Sequence, residues 1–121
     1  RFRNVTGVQT CALPICLADA VVGVSGIPKK HPGWAQFRAL GAAALDICLV
    51  AQGTLDAWVD MSSHGAWDYM ASVHVCIEAG APVGEFGGRD LIVTQHGERR
   101  SPVIAATPAL FDQVRRIREL V

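Results

Sequence analysis

Small and apolar residues fill positions 42–51 almost without a break, with Leu45, Cys48 and Leu49 at i, i+3 and i+4 and only Asp46 clearly polar. That spacing predicts a helix buried on most sides. Gly53 follows, a residue type that tolerates the left-handed conformation just after a helix C-terminus. Residues 55–60 then alternate, with Leu55, Ala57 and Val59 on one face and Asp56, Trp58 and Asp60 on the other, which predicts a strand. Residues 61–66 are small or polar and read as a loop. From 67 to 79 the chain returns to helical spacing through Met70, Val73 and Ile77.

The flanking segments extend this alternation of strand and helix. Residues 19–24 have the β-branched character of a short strand, and the Gly, Pro and Lys residues from 26 to 33 read as an exposed connection. Residues 82–86 and 91–94 flank Gly87-Gly88-Arg89-Asp90, a pattern that predicts a hairpin with a glycine-bearing turn. Residues 103–106 form a further expected strand. Thr107 as cap and Pro108 at the first helical position start a terminal helix, whose Arg115, Arg116 and Arg118 suit its C-terminal end. Strands alternating with helices indicate an α/β class with a mixed sheet layered against helices rather than a bundle.

Composition narrows the function classes. The chain has 121 residues, enough for one modest domain. Eleven basic and eleven acidic side chains balance to zero net charge, so no broad basic field attracts nucleic acid polymers or anionic membranes. No apolar run approaches the ~20 residues needed to span a bilayer, and nothing resembles a cleavable signal peptide, so a cytoplasmic location is expected. Cys11, Cys16, Cys48 and Cys76 form no CxxC pair and no zinc-ligand spacing with His31, His64, His74 or His96; Cys48 and Cys76 read as core. Residues 5–15 resemble the conceptual translation of a sequencing-adapter oligonucleotide. Residues 1–16 are therefore expected to be an assembly artefact or non-native leader, with 17–121 as the domain portion.

The chemistry gathers at one strand-to-helix connection. Asp60 ends a predicted strand, and Trp67-Asp68 opens the following helix. In open α/β sheets, ligands bind at the carboxyl ends of strands. Helix N-termini favour phosphate, and Mg²⁺ prefers one or two carboxylates together with phosphate oxygens and water. The plain alternative is that Asp68 is a helix cap, and the residues alone favour that reading.

The wider order is more specific. Arg38-Ala39-Leu40-Gly41-Ala42-Ala43-Ala44-Leu45-Asp46-Ile47-Cys48, then Val50-Ala51-Gln52-Gly53-Thr54-Leu55-Asp56-Ala57, then Trp67-Asp68, Glu78-Ala79-Gly80 and Val103-Ile104-Ala105-Ala106-Thr107-Pro108 resemble the C-terminal half of the inositol monophosphatase family, from about residue 19 onward. The resemblance implies the C-terminal subdomain of the inositol monophosphatase-like sugar phosphatase fold and Mg²⁺-dependent hydrolysis of a small phosphomonoester. By the same resemblance Asp68 is a metal ligand. Asp60 hydrogen-bonds the alcohol part of the substrate, and Gly41, Ala42 and Ala43 line the same pocket. A homodimer is a further expectation for the complete protein.

Departures from the family pattern shape those expectations. Ala42 stands where a serine or threonine is usual, Asp60 is one methylene shorter than the common glutamate, and Ala81 replaces a second glycine. Met70 and Ser72 replace alanine and glycine. The family's remaining metal ligands come from an upstream glutamate and an Asp-Pro-x-Asp-Gly-Thr segment, and the 121 residues contain no such segment. These residues alone are therefore expected to be inactive. Histidinol phosphate, fructose bisphosphate and a 3'-phosphorylated nucleotide stand as alternative substrates, and a non-catalytic α/β binding module as an alternative class. His64 sits beside the site, within reach of substrate, although a solvated loop histidine is the favoured reading; His74 reads as structural, Trp34, Trp58 and Trp67 as packing or interface anchors, and Arg99-Arg100 as solvated charge.

Overall fold

Three β-branched residues in the run Val21–Ser25 favour a strand, and in the computed structural model, which describes residues 16–120, this strand (β1) lies inside a five-stranded sheet. The expected adapter-like segment and Cys11 lie outside the described residues. β1 pairs in parallel with Gln36–Arg38 (β2) on one side and with Ala57–Asp60 (β3) on the other. Two antiparallel neighbours continue the sheet: Pro102–Ala105 (β7) beside β3, then Val83–Glu85 (β5) at the far edge. The order β2-β1-β3-β7-β5 makes the sheet mixed, as the alternation predicts.

Both faces of the sheet are covered. Val22, Val24, Ala57, Val59, Val103 and Ala105 pack against Leu110 and Val114 of the short helix Pro108–Val114 (α3). On the opposite face, Trp58 and Ile104 meet Ile47 and Val50 of Ala43–Gln52 (α1), and Tyr69, Val73 and Cys76 of Ala66–Glu78 (α2). β3 therefore keeps its period-two alternation, yet all four of its residues are buried because each face meets its own layer of helix. Gly23 allows the closest approach in this core. A Cβ there would lie 2.6 Å from Trp58 Cδ1 and 2.8 Å from Leu55 Cδ1.

Local stop and start signals hold. Gly53 has φ 95° and donates its N–H to the carbonyls of Leu49 and Val50, closing α1. Thr107 Oγ1 accepts the Leu110 N–H at 3.2 Å, capping α3 with Pro108 directly behind it.

Other expectations need correction. The buried face of α1 is Asp46, Ile47, Val50 and Ala51; Leu45 is 68% exposed, and Cys48 and Leu49 only half-buried. In α2 the buried face runs through Tyr69, Ser72, Val73 and Cys76, leaving Ile77 exposed. The expected hairpin does not form, because β5 pairs with β7 and residues 91–94 form no strand. α3 ends at Val114, so the arginines follow it in a 3₁₀ segment, Arg115–Leu120.

Candidate functional site

The connection from β3 to α2 is built around one carboxylate. Asp60 is wholly buried at the end of β3. Its Oδ1 accepts the Ser62 N–H at 2.8 Å, the Ser62 hydroxyl at 2.9 Å and the Ser63 N–H at 2.9 Å. These bonds fold residues 60–63 into a tight side-chain-to-backbone turn and hold Ser63 at φ 101°. Asp60 Oδ2 takes the fourth contact, His64 Nδ1 at 2.6 Å.

His64 is thus an anchored residue rather than the solvated loop histidine expected. His64–Gly65 (β4) pairs antiparallel with Arg99–Arg100 (β6), and the imidazole packs on Trp58 with ring centroids 6.2 Å apart. Arg100 is also engaged, donating to Asp90 O and Glu98 Oε2, so it is not merely solvated charge. His74, by contrast, is largely exposed on α2, 3.9 Å from Glu78.

α2 begins directly after β4. Gly65 occupies the cap position without a side-chain cap bond, and Asp68 stands in the first helical turn. The cap reading of Asp68 is corrected accordingly. Its carboxylate is half-buried at the positive end of the helix dipole, and it makes no side-chain hydrogen bond or ion pair among the described residues. Among those residues no group of three or more His, Cys, Asp or Glu side chains could hold a metal ion. Asp68 can supply one corner of a metal site and not a complete one. Trp67 beside it is exposed and stacked on His96, with centroids 4.8 Å apart.

Gly41, Ala42 and Ala43 come together at the start of α1. They line a cavity of about 160 Å³ with Ser25, Asp46 and His64. Ala42 is the cap residue of α1 and offers no side-chain bond to the helix end, the local consequence of lacking a hydroxyl there. Asp46 is only 2% exposed, and its Oδ1 has no hydrogen-bond partner. Burial raises its carboxyl above the ordinary range, while the Trp58 side chain and the backbone at Ala42 offset part of that rise. Trp58 Nε1 itself falls short of hydrogen-bond geometry, so it moderates the charge without satisfying Oδ1.

Asp60 faces elsewhere. It lines a second, larger cavity of about 510 Å³ with Ser62, Ser63, Arg89, Arg99 and Ser101. Of the residues expected in one pocket, Gly41, Ala42 and Ala43 share a cavity, Asp60 reaches it only through His64, and Asp68 lines neither cavity. Asp46 was missed at this cavity, and His64, placed beside the site by the sequence, was read as solvated rather than anchored. The signal for His64 lies in Asp60-Met61-Ser62-Ser63-His64, where two serines after an aspartate favour a turn that returns the histidine to the carboxylate. The signal for Asp46 was its charge within an otherwise apolar helix.

A mixed five-stranded sheet covered on both faces by helices, with a carboxylate on the first turn of the helix after β3, defines a layered α/β protein. The chain belongs to the inositol monophosphatase family, which it matches over residues 15–119. The Nus factor SuhB of Pasteurella multocida is 35% identical over 81 residues, covering 66% of this chain and 28% of that protein. The inositol-1-monophosphatase of Mycobacterium bovis is 37% identical over 83 residues, covering 64% of this chain and 24% of that enzyme. A solved Pyrococcus horikoshii protein with similarities to inositol-1 monophosphatase superposes with TM-score 0.69 at 28% identity, over 80% of this chain and 41% of its own. A solved inositol monophosphatase–fructose 1,6-bisphosphatase gives TM-score 0.70 at 25% identity, over 84% and 43%. The chain spans about a quarter of the length of these curated relatives.

Proposed function

We propose that the complete protein is a Mg²⁺-dependent phosphomonoesterase of the inositol monophosphatase type, and that these 121 residues carry its alcohol-binding side and one metal ligand. The observation that carries the reading is Asp68, half-buried and unpaired on the first turn of α2 in a chain of this family. A bound Mg²⁺ would polarise the phosphate and make an attacking water more acidic. The chain's own residues act around that centre. Asp68 orients the cation side, while Gly41, Ala42 and Ala43 shape the space for the alcohol portion. The Asp60 turn fixes the loop between strand and helix. Substrate is a small phosphorylated molecule, the compartment is the cytoplasm, and the complete protein is a homodimer.

One carboxylate does not assemble the metal site, so these residues alone are inactive. Phosphate release from inositol phosphate with Mg²⁺ by the purified 121-residue protein should stay at the uncatalysed background. Release at a rate comparable with a complete enzyme, abolished by Asp68→Asn, would refute this. One observation favours a second reading, a non-catalytic binding module: one relative is named a Nus factor. Fructose bisphosphate is an alternative substrate, suggested by the bifunctional name of a structural relative. Histidinol phosphate and a 3'-phosphorylated nucleotide draw no specific support.

A further inference from the structure

We propose that His64, positioned by Asp60, is the side chain that reads a hydroxyl group of the substrate's alcohol portion in the cavity of Gly41 to Ala43. The proposal rests on the phosphatase reading above and assigns the substrate's polyol side to a particular atom, His64 Nε2.

Asp60 itself is unsuited to direct contact. An ionised carboxylate has about four acceptor sites. Oδ1 of Asp60 already takes three donors from Ser62 and Ser63, and Oδ2 takes the His64 imidazole. The group is wholly buried, and turning it toward a ligand would break the turn it holds.

His64 has the complementary geometry. A carboxylate oxygen accepts, so Nδ1 donates to Asp60 Oδ2 across 2.6 Å, which leaves Nε2 as the ring nitrogen open to a ligand. No partner engages Nε2 among the described residues. Trp58 against the ring, and β6 paired with the His64 backbone, hold the imidazole before any ligand arrives. That preorganisation lowers the entropic cost of binding. The side chain is one-fifth exposed and lines the same cavity as Gly41, Ala42 and Ala43.

The rest of the cavity fits a hydrogen-bond donor. The Asp46 carboxyl lies in the same lining, and no lysine or arginine is among the lining residues. A neutral polyol hydroxyl satisfies such a surface. A second phosphate would meet a buried carboxylate with no cation to balance it. The cavity therefore selects the hydroxyl-bearing part of a cyclitol or sugar monophosphate over a bisphosphate.

The test is long-range ¹H–¹⁵N spectroscopy of the 121-residue protein labelled in its histidine rings, titrated with myo-inositol and, separately, with inorganic phosphate. The free protein should show His64 protonated on Nδ1 and bare on Nε2. Saturating myo-inositol should shift Nε2, leave Nδ1 unmoved and shift the amides of Gly41 to Ala43, and inorganic phosphate should leave Nε2 unmoved. His64→Ala should weaken inositol binding about fivefold, the value of one hydrogen bond. Asp60→Asn should mix the tautomers while the backbone amide spectrum stays that of the folded protein. Shifts at Gly41 to Ala43 with His64 unmoved, or a His64 ring protonated on Nε2, overturn the proposal and leave the phosphatase reading standing. Absence of any shift at these positions overturns the proposal together with the alcohol subsite.

Discussion

Two buried carboxylates respond to pH in opposite directions, for reasons visible residue by residue. Asp46 is desolvated without a full set of partners, and its carboxyl is raised. A group whose folded-state pKa lies above its unfolded value binds more protons when folded, so stability is lost as pH rises above the ordinary carboxylate range. Asp46→Asn should therefore raise the melting temperature at neutral pH, read by thermal denaturation, and flatten the loss of stability between acid and neutral pH. An unchanged or lower melting temperature would show that Asp46 is better satisfied than its geometry implies. Burial also pushes the Glu85 carboxyl up, but the Arg89 side chain and the backbone N–H groups of Arg89, Ser101 and Gly87 outweigh it and hold the group at about 2. Its contribution is present above the unfolded value and lost as pH falls toward about 2. Glu85→Gln should remove part of the acid-side decline, and Glu85→Ala should cost ~1–3 kcal/mol in urea unfolding at neutral pH, because the buried Ser101 N–H and the Gly87 and Arg89 donors lose their acceptor. Cys76 shows the same physics without a role: burial lifts its thiol to about 12, which leaves it inert core.

At the scale of elements, the sequence was informative where the cause is local. The left-handed Gly53 and the Thr107-Pro108 start each act within one turn of chain, and both hold. Thr107→Ala should cost ~1 kcal/mol, measured by chemical denaturation. The 82–94 hairpin failed because its true partner is distant: β5 chooses β7, about twenty residues further on, over the neighbouring segment. The helix faces were misjudged for a related reason. Leu45, Cys48 and Leu49 make as good an apolar stripe as Ile47, Val50 and Ala51, and only the position of the sheet decides which one is buried. His64 was misread because loop composition does not disclose that Asp60, Trp58 and β6 surround it. Gly23 belongs to this scale too. Gly23→Ala should destabilise by ~2–3 kcal/mol, because its Cβ would press on Trp58 and Leu55, both buried between sheet and helices. A loss under ~0.5 kcal/mol would mean the contact relaxes freely.

For the molecule as a whole, the sheet ends at β2 and β5 among the described residues, and β2 is exposed along its length. Phe37 in β2, Leu40 after it and Leu45 on α1 are large apolar side chains facing solvent. Unpaired edges and exposed apolar surface promote association. Sedimentation of the 121-residue protein should show concentration-dependent self-association, reduced by Phe37→Lys. A monomer at all concentrations would contradict this.

The central claim is that this chain carries the alcohol pocket and one metal-binding corner of a phosphatase site. No described cluster completes that corner, so the most direct measurement supplies the rest. The 121-residue protein is to be mixed with the N-terminal half of a related inositol monophosphatase bearing the Asp-Pro-x-Asp-Gly-Thr segment, and Mg²⁺-dependent release of phosphate from inositol phosphate recorded. The account predicts that neither half acts alone, that the mixture does, and that Asp68→Asn in this chain abolishes the activity. A complex that forms yet stays inactive, or one whose activity survives Asp68→Asn, would contradict it.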